Sequence, residues 1–426
     1  MEKMHKPLLA IVEGESEGLL EHVVINCVKD CSQDPDRGVH DASLDFVWDD
    51  DLKWGVMAQL LLGAITDNNS LKAERKLVFD SMDFCGGGDV SAHLQSLTLP
   101  VPVPTTPTSV QVRLLAASLN HRDLFQRRGL YPGTAPSIPL LADGYGIVTT
   151  PSSSLYKKRV LINPAQGWDS DPHGPEGSFA ILGGTKHYQN GTLQEYSVFE
   201  ESELVEVPGH LSAVEAAALP LCGLTAWRAV VTKAQVQKGD NVLITGIGGG
   251  VALMALLFAV KRGARVFVSS SSQEKIKRAK ALGAEGGVLY TSSTWEKELA
   301  QTVCGKLDVV IDGAGGDVVV KTAKIMKDGG RIVSYGMTLG PSLPFTMGAV
   351  LKNVDVLGST MGSRREFKEM VEFVSANGIR PVVSRVINGM EEKELEGLWE
   401  DMEKGRQFGK LVVRIAEEEE EERGRL

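Results

Sequence analysis

From residue 242 to the end of the chain, short apolar runs alternate with polar, helix-favouring segments. The runs are Val242-Leu243-Ile244, Val266-Phe267-Val268, Gly287-Val288-Leu289-Tyr290, Val309-Val310-Ile311, Arg331-Ile332-Val333-Ser334 and Val354-Asp355-Val356-Leu357. Short, β-branched runs without polar alternation are what strands buried on both faces require. Six of them joined largely by helices predict an α/β fold with a doubly wound parallel sheet. Helix boundaries are marked as well. Ser212-x-x-Glu215, Ser293-x-x-Glu296 and Ser363-x-x-Glu366 read as capping boxes, and Asn377-Gly378 reads as a helix stop.

Upstream the pattern changes. A Pro/Thr-rich stretch at 100–107 leads into a strand-like run at 110–115, and from there to about residue 205 short strands alternate with glycines and prolines, the signature of a mostly β unit. Residues 1–90 have scattered charge and no sustained period, and they predict no fold. Their loosely spaced Cys27-x-x-x-Cys31, with His22 and His40, is too irregular for a metal site. At the far end 410–415 reads as a strand, and the acidic run 417–422 reads as a solvated tail.

Candidate chemistry enters where the first strand of the parallel sheet stops. Thr245 is followed by Gly246-Ile247-Gly248-Gly249-Gly250-Val251-Ala252 and then by a helical apolar stripe. Glycines there allow a tight turn and let a pyrophosphate approach main-chain N–H groups at a helix N-terminus. The flanking strand and helix supply the context that a glycine cluster alone lacks. A dinucleotide is therefore expected at the switch point outside the carboxyl ends of the strands.

The second strand decides which dinucleotide. An NAD site would place a carboxylate at its tip to receive the ribose hydroxyls. Here the tip reads Ser269-Ser270-Ser271-Ser272-Gln273-Glu274-Lys275. Small hydroxyls leave room for a 2′-phosphate, and Lys275 and Lys277 supply cations, so NADPH is expected. The competing reading is that these serines cap the next helix and the lysines are solvated.

Composition removes other classes. A net charge of −10 and a pI near 5.4 argue against nucleic acid as a partner. Five irregularly spaced cysteines suit a reducing compartment, and no secretory signal is evident, so a cytoplasmic protein is expected. The most membrane-like run, 56–65, is too short to span a bilayer, and no membrane partner is expected.

The order of the β unit, then "LPLCGLTAWRAV" at 219–230, "VLITGIGGGVA", "KALGAEGGVLY" and finally "FGKLVV" at 408–413 resembles the medium-chain dehydrogenase/reductase superfamily. "AASLNHRDLFQRRGLYPG" at 116–133 is similar to its zinc-free quinone oxidoreductase and enoyl reductase branch. The resemblance covers roughly residues 95–415. It implies a GroES-like catalytic domain at 91–210, a Rossmann domain at 211–362 and a return to the catalytic domain at 363–415, between an unassigned extension at 1–90 and an acidic tail at 416–426. It puts Asn120, Ala142 and Cys222 where zinc relatives carry their ligands, and 167–191 lacks the four-cysteine structural lobe, so no metal is expected. His121 and His187 are the remaining histidines of interest, more readily explained as loop residues than as ligands.

By position, the resemblance places Asn120 near the nicotinamide ribose and substrate, with Tyr131 lining the substrate side as a donor of a hydrogen bond or proton. Thr225 is placed near the nicotinamide, Lys275 and Tyr290 at the 2′-phosphate, and Gly313 and Gly315 in a turn close to the cofactor. Lys410 approaches from the C-terminal segment. Blander readings make Asn120 a turn-capping amide, Arg122 and Asp123 a surface ion pair, and Tyr131 a packed aromatic. The expected function is NADPH-dependent, zinc-independent hydride transfer to a small-molecule enone, enoyl thioester or quinone. The alternatives are a carbonyl/alcohol dehydrogenase and a non-catalytic NADPH-binding protein. A homodimer is expected through the edge strand at 354–357.

Overall fold

The structure is a computed structural model that describes residues 8–16, 19–27, 73–79, 92–340 and 342–418. The chain divides into two units, Met1–Ser70 and Leu71–Leu426. In the first, Leu8–Ser16 and Leu19–Cys27 pair as an antiparallel hairpin. Cys31, His40 and the acids from 419 onward lie outside the described residues.

The second unit carries the parallel sheet that the apolar runs predict. Its six strands lie in the order Gly286–Leu289, Arg265–Ser270, Asn241–Ile244, Leu307–Asp312, Met326–Ser334, Asp355–Gly358, and every neighbouring pair is parallel. The chain moves outward from Asn241–Ile244 in one direction and then returns to build the other half. This leaves a crevice beside Gly246 at the switch point. Of the predicted capping boxes, Ser212 and Ser363 cap their helices, and Gly378 ends Arg364–Asn377 in the left-handed conformation, φ 59°. Ser293 does not cap a helix. The helix begins at Trp295 with Thr294 before it, and Glu296 turns to Lys324 Nζ (3.5 Å) instead of reaching back.

The catalytic sheet has the order Leu204–Glu206, Arg159–Ile162, Asp143–Val148, Ser109–Ser118, Lys410–Arg414, Val383–Asn388, with Tyr196–Glu200 also paired to Ser109–Ser118. The last two strands in sequence thus return to the sheet that the early strands began. Val412 lies opposite Ser118, and Leu119 N donates to Leu411 O (3.0 Å).

Like the hairpin, a further strand lies within residues 1–90, where the sequence pattern predicts none. Ala73–Phe79, inside the 1–90 extension, pairs antiparallel with Leu94–Pro100, so the catalytic unit begins well before residue 91. Residues 80–93 separate the two partners in sequence, and neither strand alone shows a usable alternation. Leu77, Val78 and Phe79 are fully buried, and the Phe79 ring meets Trp399 edge-on at 6.3 Å. Leu77 N and Leu140 N tie the strand to the rest of the unit through Leu193 O and Leu77 O, each at 3.0 Å. Phe79→Ala is therefore expected to lower unfolding stability by about 3 kcal/mol in a denaturant titration, the loss typical of an aromatic deleted from a core. A change below about 0.5 kcal/mol, the range of surface substitutions, would place the strand outside the core.

Candidate active site

The site is built where the catalytic sheet meets the first turn of the parallel sheet. Strand Ser109–Ser118 ends just before Asn120, whose extended backbone starts the helix His121–Arg127. The Asp123 carboxylate receives Asn120 N (2.7 Å) and holds this turn. Arg122 and Asp123 are both buried and paired at 3.3 Å, so they are not a surface ion pair. Burial pushes the Asp123 carboxyl up to about 6, against the opposing pull of Arg122.

Asp143 opens the next strand with none of its surface exposed, and both its oxygens are used. Oδ1 accepts from Leu221 N (2.6 Å), an otherwise unpaired donor in the first turn of helix Pro220–Trp227. Oδ2 accepts from Asn120 Nδ2 (2.8 Å) and Lys410 Nζ (2.7 Å), and the single hydroxyl hydrogen of Ser118 is shared between Oδ2 (3.0 Å) and Ala217 O (2.8 Å). Lys410 Nζ also donates to Asn120 Oδ1 (2.7 Å) and Leu119 O (2.6 Å). Cys222 Sγ donates to the same amide oxygen at 3.3 Å. Burial is the largest single influence and would weaken the Lys410 ammonium, but its acidic neighbours together, Asp143 foremost, outweigh it and hold the pKa above the ordinary lysine value. Burial pushes the Cys222 thiol up to about 11.

These residues do not fit a catalytic zinc. Among Asn120, Asp143 and Cys222 there is one carboxylate, one neutral amide oxygen already accepting two hydrogen bonds, and a thiol held protonated, with an ammonium in their midst. Zinc needs three or four converging N, S⁻ or O⁻ donors free of competing cations. Among the described residues no group of three or more His, Cys, Asp or Glu side chains is placed to hold a metal.

The glycine turn fits a dinucleotide. Gly246 and Gly248 adopt φ of +63° and +129°, closed to most side chains, and helix Gly250–Lys261 begins immediately after them. A Cβ on Gly250 would stand 2.6 Å from Cys222 Sγ and 2.8 Å from Lys410 Cδ. Gly409 N donates to Gly248 O (2.9 Å), joining the turn to the returning C-terminal strand. A second turn is set by Asp312, which accepts from Thr245 Oγ1 (2.6 Å), Ala314 N and Gly315 N (3.0 Å each).

Between these walls lies a cavity of about 500 Å³. Of the sequence-predicted residues it brings together Asn120, Tyr131, Thr225, Gly246, Gly249, Gly250, Val251, Ala252, Gly313 and Lys410. Gly248, Ser270, Ser271, Lys275, Tyr290 and Gly315 are not on its wall. The 2′-phosphate candidates instead sit along neighbouring strand ends, where Tyr290 N donates to Ser270 O (3.0 Å) and Lys275 Nζ donates to Gly405 O (2.7 Å). Ser272 caps the following helix, as the competing reading has it, while Ser271 is exposed. The Arg122 guanidinium lies 4.7 Å from the Tyr131 ring centroid. His121 borders the cavity and packs edge-on against Phe125.

Sequence reasoning passes over Asp312, Tyr335 and the hub role of Asp143. Asp312 carries a faint signal, an acid directly before the Gly313-Ala314-Gly315-Gly316 turn. Tyr335, whose ring packs where a Gly313 Cβ would stand, carries none. Gly250→Ala is expected to weaken dinucleotide binding about tenfold in a fluorescence titration, because the new methyl must displace Cys222 or Lys410 at about 1–3 kcal/mol. Unchanged affinity would mean that this close approach does not shape the site.

Residues 250–376 match the zinc-binding dehydrogenase family, and residues 106–209 match the alcohol dehydrogenase GroES-like domain. The chain is 48% identical over 346 residues to the zinc-type alcohol dehydrogenase-like protein YogA of Leptosphaeria maculans, covering 77% of this chain and 96% of that protein. It is 34% identical over 333 residues to a zinc-type alcohol dehydrogenase-like protein of Schizosaccharomyces pombe, covering 74% and 93%. Among solved structures, an NAD-dependent alcohol dehydrogenase superposes with a TM-score of 0.69 at 34% identity, over 80% of this chain and 100% of that one. A crotonyl-CoA carboxylase/reductase in complex with NADP gives 0.71 at 19% identity, over 81% and 96%, a likeness of fold alone.

Proposed function

The chain belongs to the medium-chain dehydrogenase/reductase superfamily of oxidoreductases, and from this premise we propose that it is an NADPH-dependent, zinc-independent enzyme that reduces an activated carbon–carbon double bond or a quinone. The observation that carries this reading is the Lys410 ammonium seated among Asn120, Asp143 and Cys222. With no Lewis acid to polarise a carbonyl, the reaction relies on an acceptor that is already electron-poor and on hydrogen bonds to the oxygen where charge develops.

A bound nicotinamide supplies the hydride. The protein's part is to hold it and its acceptor together. Gly246, Gly249 and the start of helix Gly250–Lys261, all on the cavity wall, would hold the pyrophosphate, and Thr225 would hold the nicotinamide. Asn120 and Tyr131, both on the cavity wall, present hydrogen-bond donors to the substrate, and the Tyr131 hydroxyl stands as the proton donor. The NADPH preference rests on the second strand, where Ser270 and Ser271 replace the carboxylate of an NAD site and Lys275 supplies charge.

Homodimer formation is part of the same reading. Among the described residues Asp355–Gly358 is an edge strand paired on one side, and Phe345, Met347 and Leu351 beside it in sequence are 58%, 65% and 76% exposed. A second copy pairing along this edge would cover both the open ladder and the apolar side chains. Leu351→Glu is expected to shift sedimentation from dimer to monomer. A wild-type protein that sediments as a monomer at tens of micromolar would remove this part of the reading.

Purified, metal-analysed protein is expected to bind NADPH at least about tenfold more tightly than NADH, and Lys275→Ala should remove most of that difference. NADPH oxidation is expected with a quinone or an enone and without stoichiometric zinc. Binding without turnover on either acceptor would favour a non-catalytic cofactor-binding protein. Bound zinc with alcohol oxidation would overturn the proposal in favour of an alcohol dehydrogenase.

A further inference from the structure

The amide of Asn120 is held between two groups of opposite chemistry. Lys410 Nζ carries only donors, so the atom facing it at 2.7 Å must be Oδ1. The Asp143 carboxylate carries only acceptors, so the atom facing it at 2.8 Å must be Nδ2. The two constraints agree and fix the sense of the amide without reference to any ligand. One hydrogen of Nδ2 goes to Asp143, and among the described residues the other has no protein partner, on a side chain that borders the cavity. The Lys410 ammonium in turn spends its three hydrogens on Leu119 O, Asn120 Oδ1 and Asp143 Oδ2.

We propose that Lys410 is a positioning residue: its ammonium takes the place a metal ion would hold among Asn120, Asp143 and Cys222, and it turns Asn120 so that an N–H, not a carbonyl oxygen, is offered to the ligand. Three features of the surroundings fit this role. The ammonium is 4% exposed and has no hydrogen left for substrate, so it does not itself act as an acid. Cys222 faces the same amide oxygen as a donor and therefore reinforces the orientation. Gly250, with no side chain to push Lys410 aside, lets the helix start close over the aliphatic part of the lysine.

Two experiments test it, and only the first depends on the proposed hydride transfer. Lys410→Met alone leaves Asp143 buried without its cation and is prone to misfold. The variant carrying Lys410→Met with Asp143→Asn removes both charges together and leaves an amide at 143 that can face Asn120 in either sense. It is expected to bind NADPH within about threefold of the parent and to keep KM for the acceptor within about threefold, while kcat falls at least about thirtyfold; these are losses of about 0.7 and 2 kcal/mol. Retained kcat would overturn the proposal.

The second experiment reads zinc content after dialysis. Asn120→Cys with Ala142→His restores ligand types at the positions the family resemblance assigns to zinc. With Lys410 present this variant is expected to hold less than about 0.1 equivalent of zinc, and with Lys410→Met added about one equivalent. Zinc in both variants, or in neither, would overturn the assignment of Lys410 to the metal's place. Failure of the wild type to turn over any acceptor, with this zinc pattern intact, would count against the proposed function and leave the placement of the lysine supported.

Discussion

The pairing of Lys410 with Asp143 is the contact on which the rest of the site depends. Each of these charges is almost fully removed from water, and removing an ion from water costs several kcal/mol even after relaxation. The structure offsets that cost by giving Asp143 three donors and a share of the Ser118 hydroxyl, and Lys410 three acceptors. Those partners come from Ser118–Asn120, Asp143, Leu221 and Lys410, segments nearly three hundred residues apart at their extremes. The knot therefore closes only when the early strands, helix Pro220–Trp227 and the returning C-terminal strand are all in place. Partial assembly would leave a buried charge uncompensated, so the pair disfavours alternative arrangements as well as anchoring this one.

The glycines around this knot follow from it. Helix Gly250–Lys261 starts against Cys222 and Lys410, and the 2.6 and 2.8 Å that a Cβ would have to these groups leave no room for any side chain. Gly409, at φ 114°, turns the chain between Val382 and the glycine loop so that Lys410 enters the strand with its ammonium inward. The peptide at Gly409 hydrogen-bonds Gly248, so the glycine turn and Lys410 on the cavity wall are joined by one short piece of backbone.

The parallel sheet is legible in the sequence because buried strands must be continuous apolar runs, and Val242–Ile244 and Val309–Ile311 are uniformly apolar and mostly β-branched. Caps at Ser212 and Ser363 are legible because capping is a local device. The strand Ala73–Phe79 is not, since its partner is separated from it by residues 80–93 and its burial arises from Trp399 and Leu193, both remote in sequence. The site divides in the same way. Backbone turns such as Gly246–Gly250 announce themselves by composition. A lysine's burial does not, and Lys410 next to Gly409 reads as one more residue approaching the cofactor until the fold brings Asp143 to it. Arg122 and Asp123 illustrate the same limit, since adjacent opposite charges in a sequence look alike whether they face water or the core.

The difference between an ammonium and a metal ion bears on the chemistry the cavity can support. A catalytic metal keeps a coordination position open for the substrate oxygen and acts on it as a Lewis acid. The Lys410 ammonium has spent all three hydrogens inside the protein and offers no such position. The hydrogen-bond donor it presents to the cavity is therefore the one oriented N–H of Asn120. A single neutral donor, even joined by the Tyr131 hydroxyl, stabilises less developing charge than a divalent cation does. The acceptor best matched to such a site is one whose own conjugation carries the charge, so that the protein needs only to hold it close and keep its donors aligned.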